Sequence, residues 1–400
     1  MSFFGRFNNL PDAGNDDDNE PVDRDVPDAE FDRFVASELS NDFSNAAIDD
    51  QDVDTVIKKR KRDTATKSKK TAAPAVVPPR LEFDTTTLGG RELDEDRGWF
   101  RATMENAQIF GEVMSRMVPI AEVLPLTIAE SGISVDVMDT SHVTFVTIAF
   151  PRASFIAFEN IFGTSTTIHF YSKLIAEKKA HFQPSDTLTI GFQEVPSDAK
   201  QFFLTCYPRS GDKNDGFVYT NALKTVNDEI ESLNRTPRRD EYQHKIVITY
   251  TTLLDALSRF KACSHVVYTL AKDSLTVAGR SESGEHSLRI NYVKATGSDD
   301  ASVEEAFQGQ RRCYYERLHA PKPHQPIDIV NFRVSHMFIK RTLMLFSGCR
   351  FIRMLFGRGW ERNNGEFLPV LITGTHYSPV DGRELCTITA VLANAIEDDN

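Results

Sequence analysis

The sequence predicts an α+β protein whose folded body contains two similar domains, each built from two β-α-β-β-β units. Two internal repeats support this prediction. Residues 128–135 (IAESGISV) are answered by residues 270–277 (LAKDSLTV), and residues 112–117 (EVMSRM) are answered by residues 255–260 (DALSRF). Repetition at about one domain length indicates a duplicated unit, and amphipathic helices next to alternating strands pack as layers on a sheet. We therefore expect the same order of elements to recur along the chain.

The most regular strand pattern lies in residues 128–150. Ile133, Val135 and Val137 alternate with polar residues, which places the apolar side chains on one face of a strand. A second β-rich run follows at residues 143–150, after a short polar break. The pattern predicts an antiparallel hairpin.

Each unit is expected to begin with a strand and an amphipathic helix. In the first unit, residues 99–104 are predicted as a strand and residues 107–118 as a helix, with Asn106 as the N-cap. The other predicted helices are residues 171–180, 253–260 and 336–346. The other predicted strands are residues 122–129, 166–169, 187–192, 201–206, 245–250, 327–334, 368–373 and 385–392.

These patterns divide the chain into four segments. Residues 1–90 are predicted to be a disordered tail, because they contain too little apolar surface to offset the entropy of ordering. Residues 91–226 and 244–400 are the two predicted domains, and residues 227–243 are the connector between them. Residues 294–326 and 357–366 are interpreted as loop insertions. The tail carries a basic run that predicts a nuclear import signal, with a solvated charge run as the alternative: Lys58, Lys59, Arg60, Lys61 and Arg62.

The composition is that of an ordinary globular protein. Of 400 residues, 40% are hydrophobic and 26% are charged, which is enough for more than one domain. No apolar run reaches the length of a membrane span, so no membrane association is expected. Five scattered cysteines without a CxxC motif indicate neither a disulfide framework nor a zinc site and favour a reducing compartment. No cofactor and no metal are expected.

The charge distribution is more informative than the net charge of -12. An acidic protein can still present a cationic face to nucleic acid. Basic residues fall on the predicted polar sides of all four helices, where acidic residues are few. A solvated helix face explains any one of them, but their recurrence indicates a polyanionic ligand. These candidate DNA-contact residues are Arg116, Lys173, Lys178, Lys179, Arg259, Lys261, Lys340 and Arg341.

Three separated blocks resemble the family of proliferating cell nuclear antigen (PCNA), the eukaryotic DNA sliding clamp. Residues 134–148 (SVDVMDTSHVTFVTI) are similar to its Met-Asp-Ser-Ser-His-Val block, and residues 270–286 (LAKDSLTVAGRSESGEH) to its Cys-Ala-Lys-Asp-Gly block. Residues 389–400 (TAVLANAIEDDN) resemble the family's C-terminal segment. The similarity spans residues 99–400 in the family's order. The long tail and the divergence resemble a clamp encoded by a large DNA virus.

The resemblance implies a DNA-clamp fold in a ring of subunits, with helices on the inner face and sheets on the outer face. It implies a homotrimer that encircles double-stranded DNA, although from the residues alone a dimer or a monomer stays open. It further implies that DNA polymerase and peptide-motif partners bind in replication and repair, that a clamp-loader ATPase opens the ring, and that the protein is nuclear or lies in a viral replication compartment. The implied partner-binding residues are Met138, His142, Leu233, Leu392, Ala393 and Ile396.

Two other functions remain open. The chain can be a subunit of a checkpoint-type hetero-oligomeric clamp, or a clamp-fold scaffold for viral transcription. An enzyme is not expected. Asp139, Ser141 and His142 are near neighbours in an extended turn and do not converge easily as a catalytic triad. The chain also lacks the GxxxxGK[ST] motif of nucleotide hydrolysis.

Overall fold

The computed structural model describes residues 87–88, 91–92, 99–161, 165–184, 186–193, 201–207, 219–226, 242–293, 307, 313–318, 330–357 and 368–393. The predicted import segment, Leu233 and Ile396 lie outside these residues. The first two strands, β1 (Thr87–Leu88) and β2 (Arg91–Glu92), form a short antiparallel pair.

Among the residues that the structure describes, the first half of the body contains two α-helices, α1 (Ala107–Ser115) and α2 (Ser172–Lys178). Helix α1 follows strand β3 (Trp99–Met104), and helix α2 follows strand β8 (Thr166–Tyr171). The remaining strands of this half are β4 (Val123–Ala129), β5 (Gly132–Met138), β6 (Thr144–Pro151), β7 (Ala157–Asn160), β9 (Thr187–Gln193), β10 (Gln201–Tyr207) and β11 (Tyr219–Val226).

The second half repeats this order of elements. Helix α3 (Tyr250–Ser258) follows strand β12 (His244–Thr249), and helix α4 (His336–Met344) follows strand β17 (Val330–Ser335). The remaining strands are β13 (His265–Leu270), β14 (Ser274–Ser281), β15 (Gly284–Asn291), β16 (Cys313–Arg317), β18 (Phe351–Phe356), β19 (Val370–Tyr377) and β20 (Glu384–Leu392).

The predicted hairpin is confirmed. Strands β5 and β6 pair antiparallel, and Ile133, Val135 and Val137 are all buried. Gly132, the first residue of β5 after the turn, has φ of +138°, and a Cβ there would lie 2.2 Å from the carbonyl oxygen of Phe150. Only glycine fits this turn without moving the backbone. The N-cap is also confirmed, because the Asn106 side chain accepts a hydrogen bond from the Ile109 amide at 3.2 Å.

The interpretation of residues 294–326 as a loop insertion is wrong for part of that segment. Residues Cys313–Arg317 form strand β16, which pairs with β12, and Phe307 packs against Val247. Strands β7, β11 and β18 were also not predicted. The β18 sequence, FIRMLF, is mostly apolar on both faces and has no strict period of two, so alternation does not reveal it.

The described strands beyond β2 form one sheet of fourteen strands and one of four. The large sheet has the order β16-β12-β18-β19-β20-β6-β5-β4-β8-β11-β10-β9-β3-β7, and the small sheet has the order β15-β14-β13-β17. The two halves are joined at β6 and β20, which pair antiparallel with Ile148 opposite Ile388. One continuous sheet therefore links the C-terminal strand to the N-terminal hairpin.

The main apolar core contains side chains from all four helices and from one face of the sheet. Phe110 and Val113 represent α1 in this core, and Leu253 and Ile339 represent α3 and α4. Strand β20 contributes Leu392, which is fully buried there. Because successive side chains on a strand point to opposite faces, the neighbours of such residues point away from the helices.

Candidate nucleic-acid interface and partner groove

The predicted DNA-contact residues differ in exposure. Lys173, Arg259 and Lys261 are exposed. Lys178, Lys179, Lys340 and Arg341 are partly buried. Seven of the eight residues therefore retain some contact with solvent. Arg116, the eighth, does not.

Arg116 has a different environment from the other cations. Its side chain is 3% exposed, its Nη1 donates to the backbone carbonyl of Ser347 at 2.6 Å, and its Nη2 pairs with Glu112 at 3.0 Å. Ser347 follows α4, so this arginine connects the two halves of the chain. The prediction that Arg116 contacts DNA is not supported, because its side chain is buried and both terminal nitrogens bond to groups inside the protein.

Lys261 and Lys340 both lie near the imidazole of His336. The pKa of His336, at the start of α4, is lowered by burial and further by the cations of Lys340 and Lys261, against a hydrogen bond to the Leu257 carbonyl. Both cations act on one imidazole, so their charges share one region of the surface. A concentrated positive charge of this kind attracts phosphate without reading base sequence.

A second apolar cluster lies on the sheet face opposite the helices. Its buried members are Phe145, Tyr242, Leu355, Leu368, Leu371 and Val391. Phe145, Leu371 and Val391 alternate along their strands with residues of the main core, so they point away from the helices. Met138 and Leu318 pack against this cluster and are only partly buried. We call this cluster and its two flanking residues the partner groove, because the sequence predicts partner binding at Met138.

The turn between β5 and β6 flanks the partner groove. The Asp139 carboxylate accepts hydrogen bonds from the amides of Val143 and Thr144, at 2.9 and 2.8 Å. These bonds hold His142 in the left-handed region, with φ of 54°. The exposed imidazole of His142 then lies 3.1 Å from the Met138 sulfur. Because the Asp139 carboxylate is used by the backbone, it does not orient a catalytic base.

The C-terminal strand reaches the same turn. The amide of Ala393 donates to the carbonyl of Val143 at 2.9 Å, so Ala393 lies next to the segment that carries His142. Its role in partner binding stays a prediction. The prediction for Leu392 is wrong, because this residue is fully buried in the main core on the helix side. Its neighbour Val391 faces the groove instead. Strand alternation forces this choice, but the sequence does not show which member of the pair faces out.

Sequence reasoning missed most of the groove floor. Tyr242, Leu355 and Leu371 come from segments distant in sequence, and none carries a local signal for a binding surface. The described residues contain no group of three His, Cys, Asp or Glu side chains arranged to hold a metal ion. No helix in the described part of the chain is long and apolar enough to cross a membrane. All five cysteines are buried and unpaired.

Comparisons by sequence give no relative: no protein-family model matches the chain, and no curated protein matches it. Comparison by fold gives a match. The structure superposes on the crystal structure of Proliferating Cellular Nuclear Antigen from Entamoeba histolytica with a TM-score of 0.56 and 14% sequence identity, covering 74% of this chain and 99% of that chain. The chain has a PCNA-like clamp fold. At this level of identity the likeness concerns the fold, which is what the three sequence blocks implied.

Proposed function

We propose that this protein is a DNA sliding clamp, a processivity factor that encircles double-stranded DNA and tethers DNA polymerase and other proteins. The clamp fold, the cations of the helices and the partner groove support the proposal, as a binding protein rather than an enzyme. The observation that carries it is a pair of open sheet edges with matching positions in the two halves. These edges provide the means of closing a ring.

The pairing between the two halves within one chain indicates which strand each open edge would meet in a neighbouring copy. Strand β6 of the first half pairs with β20 of the second. The counterpart of β6 in the second half is β15, and the counterpart of β20 in the first half is β11. Strand β15 pairs only with β14 among the described strands, and β11 pairs with β10 along its length and with β8 only at Thr225 and Val226. Edges of this kind pair with another chain unless they are protected.

The repeat also predicts the register between subunits. Ile148 on β6 pairs with Val135, and Leu288 on β15 pairs with the equivalent Val277. The three neighbouring strands β18, β19 and β20 of the second half correspond to β9, β10 and β11 of the first half. When the paired residues of the two sets are matched, Ile388 corresponds to Tyr219. Because Ile388 faces Ile148 within the chain, we expect Tyr219 of one copy to face Leu288 of the next. In the same register, Asn221 of one copy pairs with His286 of the next.

A homotrimer is the proposed assembly, by the likeness to PCNA. The register is tested by replacing Asn221 and His286 together with cysteine and oxidising the protein. We expect covalent oligomers that end at the size of the closed ring, with either single variant as the control. Monomers alone after oxidation would contradict the pairing. A native mass of one chain at all concentrations would contradict the ring, and assembly only with a different chain would favour the checkpoint-type alternative.

Encirclement of DNA is tested by topology. A ring threaded on linear DNA with both ends blocked is expected to stay bound in salt that disrupts ionic contacts, and to slide off when one end is opened. Equal loss from blocked and open DNA would contradict encirclement. Extension of a primed circle by a polymerase, with and without the protein and a clamp loader, separates the replication role from a transcription scaffold.

The remaining sequence predictions belong to the same proposal. Residues 1–90 are the tail, residues 91–226 and 244–400 are the two clamp domains, and residues 227–243 are the connector. The helices face DNA and the sheets form the outer wall. The basic run at residues 58–62 directs nuclear import, which a fusion of residues 1–90 to a fluorescent protein tests against the same fusion with these five residues changed to alanine.

A further inference from the structure

We infer that Arg259 is a subunit-interface residue whose guanidinium donates to the backbone carbonyl of Gln183 in the next copy of the chain. This inference rests on the proposed ring and goes beyond it, because it names a contact that closes the ring. It also reassigns Arg259, which the sequence predicted to contact DNA. The in-chain contact of Arg116 with Ser347 supplies the template.

The template is a side-chain contact that accompanies strand pairing. Where β6 meets β20, Arg116 at the end of α1 donates to the Ser347 carbonyl at 2.6 Å and pairs with Glu112 one helical turn earlier. Ser347 lies in the turn after α4, where backbone carbonyls lack helical partners. A cation at a helix C-terminus is also favoured by the helix dipole. Sheet pairing and this arginine therefore belong to one junction.

The two helices that end in these arginines occupy equivalent positions. The Ala107 amide, at the start of α1, donates to the carbonyl of Asp186 at 3.0 Å. The Tyr250 amide, at the start of α3, donates to the carbonyl of Arg350 at 3.4 Å. When α1 is aligned with α3 so that Ala107 corresponds to Tyr250, Arg116 corresponds to Arg259. In the same alignment Glu112 corresponds to Asp255, so an acidic residue one turn before the arginine is present in both helices.

The accepting segment is repeated as well. The Ser172 amide donates to the carbonyl of Glu122 at 2.8 Å, and the His336 amide donates to that of Ser264 at 2.9 Å, which places the starts of α2 and α4 in equivalent positions. When Ser172 is aligned with His336, Asp186 corresponds to Arg350 and Gln183 corresponds to Ser347. Burial supports the same match, because Phe182 and Phe346, which precede the two acceptors, are both buried.

Within a single chain, the Arg259 guanidinium and the Gln183 carbonyl do not form the contact that Arg116 and Ser347 form. Arg259 is exposed, and among the described residues it has no ion pair and no side-chain hydrogen bond. Gln183 is exposed too, and its carbonyl accepts one hydrogen bond, from the Asp186 amide at 3.1 Å. A carbonyl oxygen has two lone pairs, so it can accept a second bond. Pairing of β15 with β11 of the next copy repeats the junction that brings Arg116 to Ser347, and so brings Arg259 to Gln183.

Alanine at position 259 tests the inference, with Lys261→Ala as the matched control. Lys261 is exposed and lies two residues further on, and its charge acts on His336 of its own chain. Sedimentation over a dilution series measures the concentration at which half of the protein is assembled. For Arg259→Ala we expect this concentration to rise by about tenfold, as for a lost hydrogen bond to a charged group. For Lys261→Ala we expect no change.

A second variant guards against a folding defect. Because an arginine side chain separates the two backbones by more than a disulfide can span, the double variant Arg259→Cys with Gln183→Cys is treated with a short bismaleimide. We expect covalent oligomers from the double variant and none from either single variant, because the native cysteines are buried. If the wild-type chain assembles but Arg259→Ala assembles equally well and the cysteine pair does not cross-link, the inference is wrong and the ring stands. If the wild-type chain stays monomeric at all concentrations, the ring itself is wrong and the inference falls with it.

Discussion

The phenolic hydroxyl of Tyr242 donates to the backbone carbonyl of Pro369 at 2.8 Å, and both residues are buried. Tyr242 lies at the end of the predicted connector, residues 227–243, and Pro369 precedes β19. The bond therefore anchors the end of the connector to the floor of the partner groove. It joins residues that are 127 positions apart.

Replacing Tyr242 with Phe is expected to lower the free energy of unfolding by about 1–3 kcal/mol, because the buried carbonyl of Pro369 loses its donor. Urea unfolding measures the change. Tyr377→Phe is the control, since Tyr377 is 48% exposed, and it should change the free energy of unfolding by less than about 0.5 kcal/mol. Equal effects in the two variants would mean that the Tyr242 hydrogen bond adds nothing to stability.

Reversing two charges on α2 is expected to weaken DNA binding. The slope of log affinity against log salt is negative, and each lost phosphate contact should make it shallower by about 0.9. For Lys173→Glu with Lys178→Glu, the magnitude of the slope should therefore fall by about 1.8 in all. Fluorescence anisotropy at several salt concentrations measures the slope. Lys272→Glu with Arg280→Glu makes the same change of charge at two exposed positions away from the helices. If both pairs reduce the slope equally, net charge explains the effect and the helix face does not.

Leu392 and Met138 are expected to separate stability from partner binding. Leu392 is fully buried, so Leu392→Ala should lower the free energy of unfolding by about 2–5 kcal/mol. Met138 only flanks the partner groove, so Met138→Ala should leave folding nearly unchanged and weaken the binding of peptides that carry aliphatic and aromatic anchors. Calorimetric titration with such peptides measures the second effect. Undiminished peptide binding by Met138→Ala would move the partner site elsewhere.

Stability is expected to fall in mild acid because of His376. Burial, and then the cation of Arg116, lowers the pKa of this imidazole from 6.5 to about 4. In the unfolded chain this imidazole is protonated below about pH 6.5, whereas in the folded chain it is protonated only below about pH 4. The contribution is therefore intact above about pH 7 and is lost as the pH falls toward 4, by about 2–3 kcal/mol.

Urea unfolding at about pH 7.5 and about pH 5 checks this expectation. His376→Gln should reduce the difference in stability between the two pH values, while His142→Gln, at an exposed position, should not. The pKa of His244 is also lowered to about 4, by burial and then by Arg317, so a smaller pH dependence should persist in His376→Gln. An unchanged pH dependence in that variant would exclude His376 as a cause.

Several local features were predictable because they depend on neighbouring residues. The alternation of Ile133, Val135 and Val137 encodes the hairpin, and Asn106 encodes the start of α1. The repeat at residues 128–135 and 270–277 predicted equivalent segments in the two domains, and the structure places these residues in β4–β5 and β13–β14. The groove floor was not predictable, because Tyr242, Leu355 and Leu371 meet only through strand pairing at long range.

Arg116 and Arg259 mark the boundary between local and tertiary information. Both follow serine at the end of an amphipathic helix, and their sequences alone assign them the same role. In the folded chain Arg116 is buried against the carbonyl of Ser347, 231 residues away, while Arg259 is exposed. Periodicity and capping act within a few residues, so strands, helices and the duplication are readable from the chain. Burial depends on which distant segment packs against a side chain, so only the folded chain distinguishes an internal arginine from a surface one.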